Sequence, residues 1–227
     1  MIKGDFHIHS DFSPDCATPL EGLVQRCIQV GLTCIAITDH NTTRGAQEIQ
    51  KIAPFTVIIG EEIKSSEGEI IGLFLHKDIP KGLSPLETIK QIREQGGLVS
   101  IPHPYDRFRR SVLREKALYE ILPHVDIVEA FNSRTTLYSD IAKAQQLTTE
   151  YDVVPSAVSD AHTLIELGRT YVEFPEFDGT PAGFKAALAK GHLIKRKINP
   201  LIHITTRYTK IRKRFFSFRE SFRNNLS

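Results

Sequence analysis

The sequence predicts an α/β fold in which about seven strands close into a barrel with helices outside it. Three observations predict it. Short β-branched and apolar runs alternate with stretches of helical periodicity along most of the chain. Several of those runs lack polar alternation, as strands covered on both faces do. A length of 227 residues suits one such domain with a tail.

The elements follow in order. Residues 5–9 read as the first strand. Thr18-Pro19 then supplies a cap and a first-turn proline, Leu20, Leu23, Val24, Cys27 and Ile28 recur at helical spacing, and Gly31 ends the helix. Residues 33–38 (TCIAIT) form an apolar strand, 45–53 a helix and 55–59 a third strand. A strand over 69–75 precedes a helix over 85–95 that stops at Gly96-Gly97. The strand Leu98–Ile101, a helix near 112–122, a strand over 126–130, a helix near 137–151 and a strand over 153–158 continue the alternation. A short strand near 170–174 and a helix over 181–190 complete the body. With this many strand–helix units a mostly parallel barrel fits better than an open sheet.

Composition excludes several classes. With 41% hydrophobic and 25% charged residues the chain is an ordinary globular one. No apolar run approaches the ~20 residues of a membrane span. The N-terminus lacks the apolar stretch of a signal peptide, and Cys16, Cys27 and Cys34 have neither metal-type spacing nor an even count for pairing. A reducing, cytoplasmic location is the expectation. Residues 1–195 are expected to form the domain and 196–227 an extension. Beyond residue 200, Arg207, Lys210, Arg212, Lys213, Arg214, Arg219 and Arg223 face only one acid, Glu220, although the whole chain carries +2. A basic tail on an acidic body points to an anionic partner.

The chemistry sits just past the strands. His7 and His9 end the first, and Asp15 follows in the loop. Asp39 and His40 end the second, Glu61-Glu62 follows the third, and His103 follows the Leu98–Ile101 strand. Asn132 follows the strand over 126–130, and Asp160 and His162 follow the strand over 153–158. C-terminal strand ends of a parallel barrel share one face, so these positions converge in space. Imidazole and carboxylate together suit Mn, Fe and Zn. His7 and His9, two apart on a strand, point to the same side. Asp5 and Asp39 are expected to orient ligating histidines, and Glu61 and Glu62 compete for one ligand position. His76, His124, His192 and His203 fall outside the pattern, with surface or packing roles. Arg107 and Arg134, with Arg109 and Arg110 less clearly placed, are expected to reach the same face, where a guanidinium suits phosphate oxygens.

These residues resemble the PHP (polymerase and histidinol phosphatase) family. The resemblance rests on DFHIHSDFSPD at 5–15, GLTCIAITDHNTTRG at 31–45, IIGEEI at 58–63, SIPHPYDRFR at 100–109, EAFNSR at 129–134 and SDAHT at 159–163. It spans roughly residues 1–195 and looks closest to the small stand-alone phosphoesterases, including those that act on 3′,5′-bisphosphorylated nucleotides and on RNA 5′ ends. It implies a distorted seven-stranded, TIM-like barrel holding two or three divalent ions. By position, His7, His9, Glu62 and Asp160 would hold one ion. Glu62 would bridge to a second ion bound also by His103, with Asn132 as a ligand or a substrate contact. Asp15, His40 and His162 would hold a third and supply catalytic groups. Glu62 is preferred over Glu61 because it lies two residues after Gly60. Cys16 stands where many relatives have glycine after the loop aspartate. The implied activity is metal-dependent hydrolysis of phosphate esters by a metal-activated hydroxide. Nucleotides or 5′-phosphorylated RNA are the expected substrates, with Arg107, Arg134 and Asn132 contacting them. The alternatives are a non-catalytic metal-binding module of the same family, a phosphomonoesterase of a small metabolite, and an amidohydrolase, which the Asp160/His162 pairing and the TDHN segment fit less well.

The tail places Phe215, Phe218 and Phe222 on one helical face among basic residues. Packing on the body, contact with RNA through phosphates and stacking, or contact with an anionic membrane surface or partner protein all suit that pattern.

Overall fold

The computed structural model describes the backbone of residues 1–224 and the side chains of residues 1–214. The calls on Phe215, Phe216, Phe218 and Phe222 therefore lie outside the described side chains. Nine strands form one sheet among the described residues: β1 (Ile2–Ile8), β2 (Cys34–Ile37), β3 (Thr56–Lys64), β4 (Glu69–Leu73), β5 (Leu98–Ile101), β6 (Ile127–Asn132), β7 (Val154–Val158), β8 (Tyr171–Phe174) and β9 (His192–Ile194). Their order is β7-β6-β5-β4-β3-β2-β1-β8-β9. The sheet curls until the end of β7 meets β1. Ala161 bridges Ile8 in parallel, His9 N donates to Ala161 O at 2.9 Å, and Ser159 N donates to the Asp5 carboxylate at 3.0 Å.

Seven strands were expected and nine are present. Two departures from a regular strand–helix repeat account for the architecture. First, β4 runs antiparallel to both β3 and β5. The chain between β3 and β4 is a tight turn in which Ser65 N donates to Gly68 O, too short for the crossover that parallel pairing needs. Second, β8 and β9 add an antiparallel pair to the free side of β1. β9 has only three residues, and no hydrophobic run in the sequence announced it.

Among the described residues seven α-helices surround this sheet: α1 (Leu20–Val30), α2 (Arg44–Ile52), α3 (Pro85–Glu94), α4 (Glu115–Ile121), α5 (Tyr138–Glu150), α6 (Pro181–Leu188) and α7 (Ile202–Asn224). Their ends follow local chemistry. Gly31, at φ 75°, closes α1 by donating to the Cys27 and Ile28 carbonyls. Ser84 and Glu87 form a capping box at the start of α3, with Pro85 in its first turn.

Strand alternation divides the apolar residues. Cys34 and Ala36 of β2 join an inner cluster with Phe6, Ile71, Leu73, Phe131 and Ala157. Ile35 and Ile37 turn the other way and pack under α1 and α2 with Leu23, Cys27 and Ile49. A third cluster lies under α3 and α4, where Ile92, Leu118 and Ile121 cover Val99, Ile101 and Val128. Phe184 of α6 enters the inner cluster edge-on to Phe6, with ring centroids 4.9 Å apart. Burying each such side chain contributes roughly 1.5–3 kcal/mol, so a sheet filled on both faces is a rigid platform for the residues at its rim.

Candidate active site

Most predicted groups sit at or just past the ends of their strands and meet, while Glu61 and Glu62, expected after the third strand, lie within β3. The centre is Glu62 of β3. Its Oε2 lies 3.5 Å from His7 Nε2, 3.4 Å from His9 Nε2 and 3.1 Å from His40 Nδ1. Its Oε1 lies 3.0 Å from His103 Nε2. Glu61, the next residue along the strand, points away and accepts from Ile79 N at 2.9 Å. Asp160 Oδ1 stands 3.7 Å from His7 and 3.6 Å from His9. Asp15 lies 3.3 Å from His40 Nε2 and 3.5 Å from His162 Nε2.

Neighbouring side chains set the histidine protons. Ser13 Oγ has one hydrogen, and at 2.7 Å it gives it to Asp39. His9 Nδ1, 3.0 Å from the same Oγ, must therefore donate, which leaves a lone pair on His9 Nε2. Asp39 is fixed in turn by Ser10 N at 2.7 Å. Asp39 thus orients a histidine as expected, through Ser13. Asp5 makes no hydrogen bond to a histidine ring among the described residues and fixes Ser159 N at the barrel seam. The carboxylate that orients His7 is Glu129, 2.7 Å from Nδ1. Its second oxygen accepts from His103 N and Asn132 Nδ2 at 2.7 and 2.8 Å.

His7 Nε2 and His9 Nε2 face each other at 3.0 Å, an arrangement that needs a cation or a proton between them. Burial works against a charge on His7, but Asp160, Glu129 and Glu62 outweigh it and raise its pKa well above the usual imidazole value. Burial and the adjacent His162 push His9 down to about 3. Burial opposes charge on His40 too, yet Glu62 and Asp15 lift it to about 9. Against the same burial penalty, Arg109 and His7 hold Asp160 well below the usual carboxylate range, and His7 and His40 do the same for Glu62.

The chemistry of this donor set fits divalent ions. Three groups, His7/His9/Glu62, His9/His40/His162 and His40/Glu62/Glu69, each bring ligand atoms within 4.8 Å of one another. Asp15 Oδ1 and Asp160 Oδ1 are buried without a hydrogen-bond partner, and such orphans are costly unless a cation meets them. Two of the converging residues hold a strained backbone, His103 at φ 31° and Asp160 at φ 55°, as is common where function over-determines geometry.

The remaining assignments sort as follows. Arg107 turns away to Asp140, with Nη2 2.7 Å from Oδ1, and lies outside the cavity, contrary to expectation. Arg109 takes the inward place and pairs with Asp160. Arg134 lines the cavity but is buried, its Nε 3.3 Å from Glu166 and its Nη1 2.6 Å from His162 Nδ1. Asn132 bonds Glu129 and Asp160 from within β6, a bracing position behind the ligand atoms. Cys16 tucks under the Asp15 loop and donates to the carbonyls of His9 and His162 at 3.3 and 3.1 Å. His203, expected in a surface or packing role, is half-buried on α7, with Nε2 3.1 Å from Arg134 O.

Two residues were missed. Glu129 interrupts the apolar run of β6, and a buried charge in such a strand was the available signal. Glu69 opens β4. Because β4 runs backwards, its first residue lies at the same rim as the last residues of the parallel strands, and Glu69 Oε2 comes within 3.7 Å of His103. Nothing in the sequence gave that strand's direction.

Fold and site together define a barrel whose mouth carries a cluster of histidines and carboxylates. The chain belongs to the PHP domain family, whose pattern matches residues 5–173. It is 43% identical over 147 residues to the uncharacterized protein MJ1587 of Methanocaldococcus jannaschii, covering 58% of this chain and 82% of that one. It is 33% identical over 119 residues to a 5′-3′ exoribonuclease of Haemophilus influenzae, covering 46% of this chain and 43% of the relative. Among solved structures, a two-domain Bacteroides vulgatus protein containing a predicted PHP-like metal-dependent phosphoesterase superposes with TM-score 0.68 at 20% identity, covering 86% of this chain and 65% of that one. The lesion-specific endonuclease PfuEndoQ of Pyrococcus furiosus superposes with TM-score 0.58 at 16% identity, covering 88% and 59% respectively. The chain thus spans less than two thirds of the exoribonuclease and of both solved proteins. These structural likenesses establish the shared fold.

Proposed function

We propose that the chain hydrolyses phosphate esters with two or three divalent ions (Mn, Fe or Zn) held at the barrel mouth, and that its substrates are nucleotides or 5′-phosphorylated oligonucleotides. The observation that carries the reading is Glu62, whose two oxygens are shared among His7, His9, His40 and His103. His7, His9, Glu62 and Asp160 would hold one ion. Glu62 and His103, with Glu69 beside them, would hold a second, and Asp15, His40 and His162 would hold a third. When bound, such ions supply Lewis acidity that lowers the pKa of water and neutralises phosphoryl charge.

The protein's own groups do the rest. Glu129 and the Asp39–Ser13 pair keep the His7 and His9 lone pairs turned inward. Arg109 and Arg134 place guanidinium charge beside the ligand cluster, where it steadies phosphoryl oxygens. The Asp15/His40/His162 group stands at the open edge, where the leaving oxygen departs and takes up its proton. The matches to an exoribonuclease and to a lesion-specific endonuclease support a nucleic-acid substrate.

The test is incubation of the manganese-loaded protein with a short 5′-phosphorylated RNA and identification of products by mass. Release of mononucleotides supports the diesterase reading, and release of phosphate alone supports a monoesterase. No product from this RNA or from a panel of small phosphoesters would overturn the proposal.

A further inference from the structure

α7 lies beyond the matched family region, which ends at residue 173. One side of the helix holds it to the barrel. Ile202, His203, Thr206, Thr209 and Lys213 are buried or half-buried. His203 meets the Arg134 carbonyl, Thr206 accepts from the Arg134 guanidinium, and Lys213 donates to the carbonyls of Asp11 and Ser13 in the loop that carries Asp15.

The opposite side carries an apolar row turned to solvent. Leu201, Ile204, Tyr208 and Ile211 recur at alternating steps of three and four residues, the spacing of one helix face. Each is 63 to 68% exposed. Four large side chains in one contiguous row differ from apolar residues scattered singly over a surface, and such a patch marks an interaction site. In the sequence Phe215, Phe218 and Phe222 continue the same steps, although their side chains lie outside the described ones. Arg207 and Arg214 flank the row on one side and Arg212 on the other, all three exposed. From Leu201 to Ser227 Glu220 is the single acid, against seven lysines and arginines.

Charge and shape choose among the coverings. A second copy of the helix fits the three-and-four spacing, but pairing would set flanking arginines against arginines, where paired helices place opposite charges. RNA would meet the arginines, yet Leu201, Ile204 and Ile211 are aliphatic and offer no ring on which a base can stack. A bilayer with anionic headgroups supplies both parts, hydrocarbon under the row and negative charge along its two flanks. We propose that α7 is an interfacial helix that docks the protein on an anionic membrane surface. Leu201, Ile204, Tyr208 and Ile211 seat at the boundary of headgroup and acyl chain, and Arg207, Arg212 and Arg214 lie among the headgroup phosphates. Ile204 and Arg207 also line the cavity, so a docked α7 sets the cavity mouth against the lipid surface. The inference is independent of the phosphoesterase reading of the site.

The experiment sediments the full-length protein with vesicles of phosphatidylcholine alone and with vesicles containing about 30% phosphatidylserine. The wild type is expected to partition at least about tenfold more strongly onto the anionic vesicles, and the preference should shrink as salt is raised. Tyr208→Ser/Ile211→Ser, at two exposed positions away from the cavity lining, should lower that partition about tenfold or more and leave the circular dichroism spectrum unchanged. Arg212→Ala/Arg214→Ala should lower it by a similar factor on the anionic vesicles. No partition onto either vesicle, equal partition onto both, or full partition by the Tyr208/Ile211 variant would overturn the proposal. A dimer seen by sedimentation equilibrium without lipid, and dissolved by the Tyr208/Ile211 variant, would assign the row to a second copy and overturn it as well. Binding of RNA or polyglutamate in place of vesicles would do the same.

Discussion

Glu129→Gln tests the site's internal logic most sharply, because the substitution keeps shape and removes one acceptor. Glu129 serves three donors: His7 Nδ1 at 2.7 Å, His103 N at 2.7 Å and Asn132 Nδ2 at 2.8 Å. A glutamine has a single carbonyl oxygen and an NH2 group. Held by the two donors on the β6 side, its oxygen stays with His103 N and Asn132, and its NH2 faces His7. His7 Nδ1 must then accept, its proton moves to Nε2, and the lone pair that would bind a cation is lost. Restoring the ligating tautomer sacrifices one charge-assisted hydrogen bond of about 1.5–3 kcal/mol. At 1.4 kcal/mol per decade this weakens metal binding roughly 10- to 100-fold. Competition titration of manganese against a chelator measures it, and circular dichroism checks that the fold persists. An affinity unchanged within about twofold, with His7 still protonated on Nδ1 by nitrogen NMR, would refute the orienting role of Glu129.

Four further outcomes follow from the same geometry. His9→Ala, Glu62→Ala or Asp160→Ala should each lower turnover at least about a hundredfold through loss of metal, with near-native circular dichroism; activity near wild type in a metal-depleted Asp160→Ala protein would contradict the ligand set. Arg107→Ala should leave kcat/KM within about twofold, since Arg107 pairs with Asp140 outside the cavity. Arg134→Ala should cost about 3 kcal/mol of stability as well as substrate affinity, because it strips buried Glu166 of its cation; urea unfolding that matches wild type would contradict this. Asp126, 6% exposed, is 2.7 Å from Arg93 and 2.9 Å from Lys185. Burial opposes its charge, but these partners and Val99 N hold its pKa below the usual value. A depressed carboxylate stabilises the fold above its unfolded pKa and loses that contribution as pH falls through the folded one. Asp126→Asn should therefore cost about 2 kcal/mol near pH 7, and the gap from wild type should close below about pH 4; a gap that persists at pH 2 would sink the assignment.

Much of this was legible in the chain. Period and punctuation located α1 to within its Gly31 terminus, and the histidines and carboxylates announced themselves by standing after apolar runs. What stayed hidden has physical causes. Strand direction is a tertiary property, so the reversal of β4 and the arrival of Glu69 at the rim had no local sign. Arg107 and Arg109 differ by two positions in an irregular loop, and only packing decides that Arg107 meets Asp140 while Arg109 meets Asp160. The part played by α7 was hidden for the same reason. Its basic residues were visible, but their place in the cavity wall depends on His203 and Thr206 docking on Arg134, some seventy residues away in sequence.

The central claim is that Glu62 bridges metal ions held by the surrounding histidines. It is tested most directly by anomalous scattering from crystals grown with manganese, recorded at the manganese edge. The account predicts at least two strong peaks flanking the Glu62 carboxylate, one beside His7, His9 and Asp160 and one beside His103. An absence of peaks at saturating manganese, or peaks elsewhere with Glu62 bound only by histidines, would contradict it.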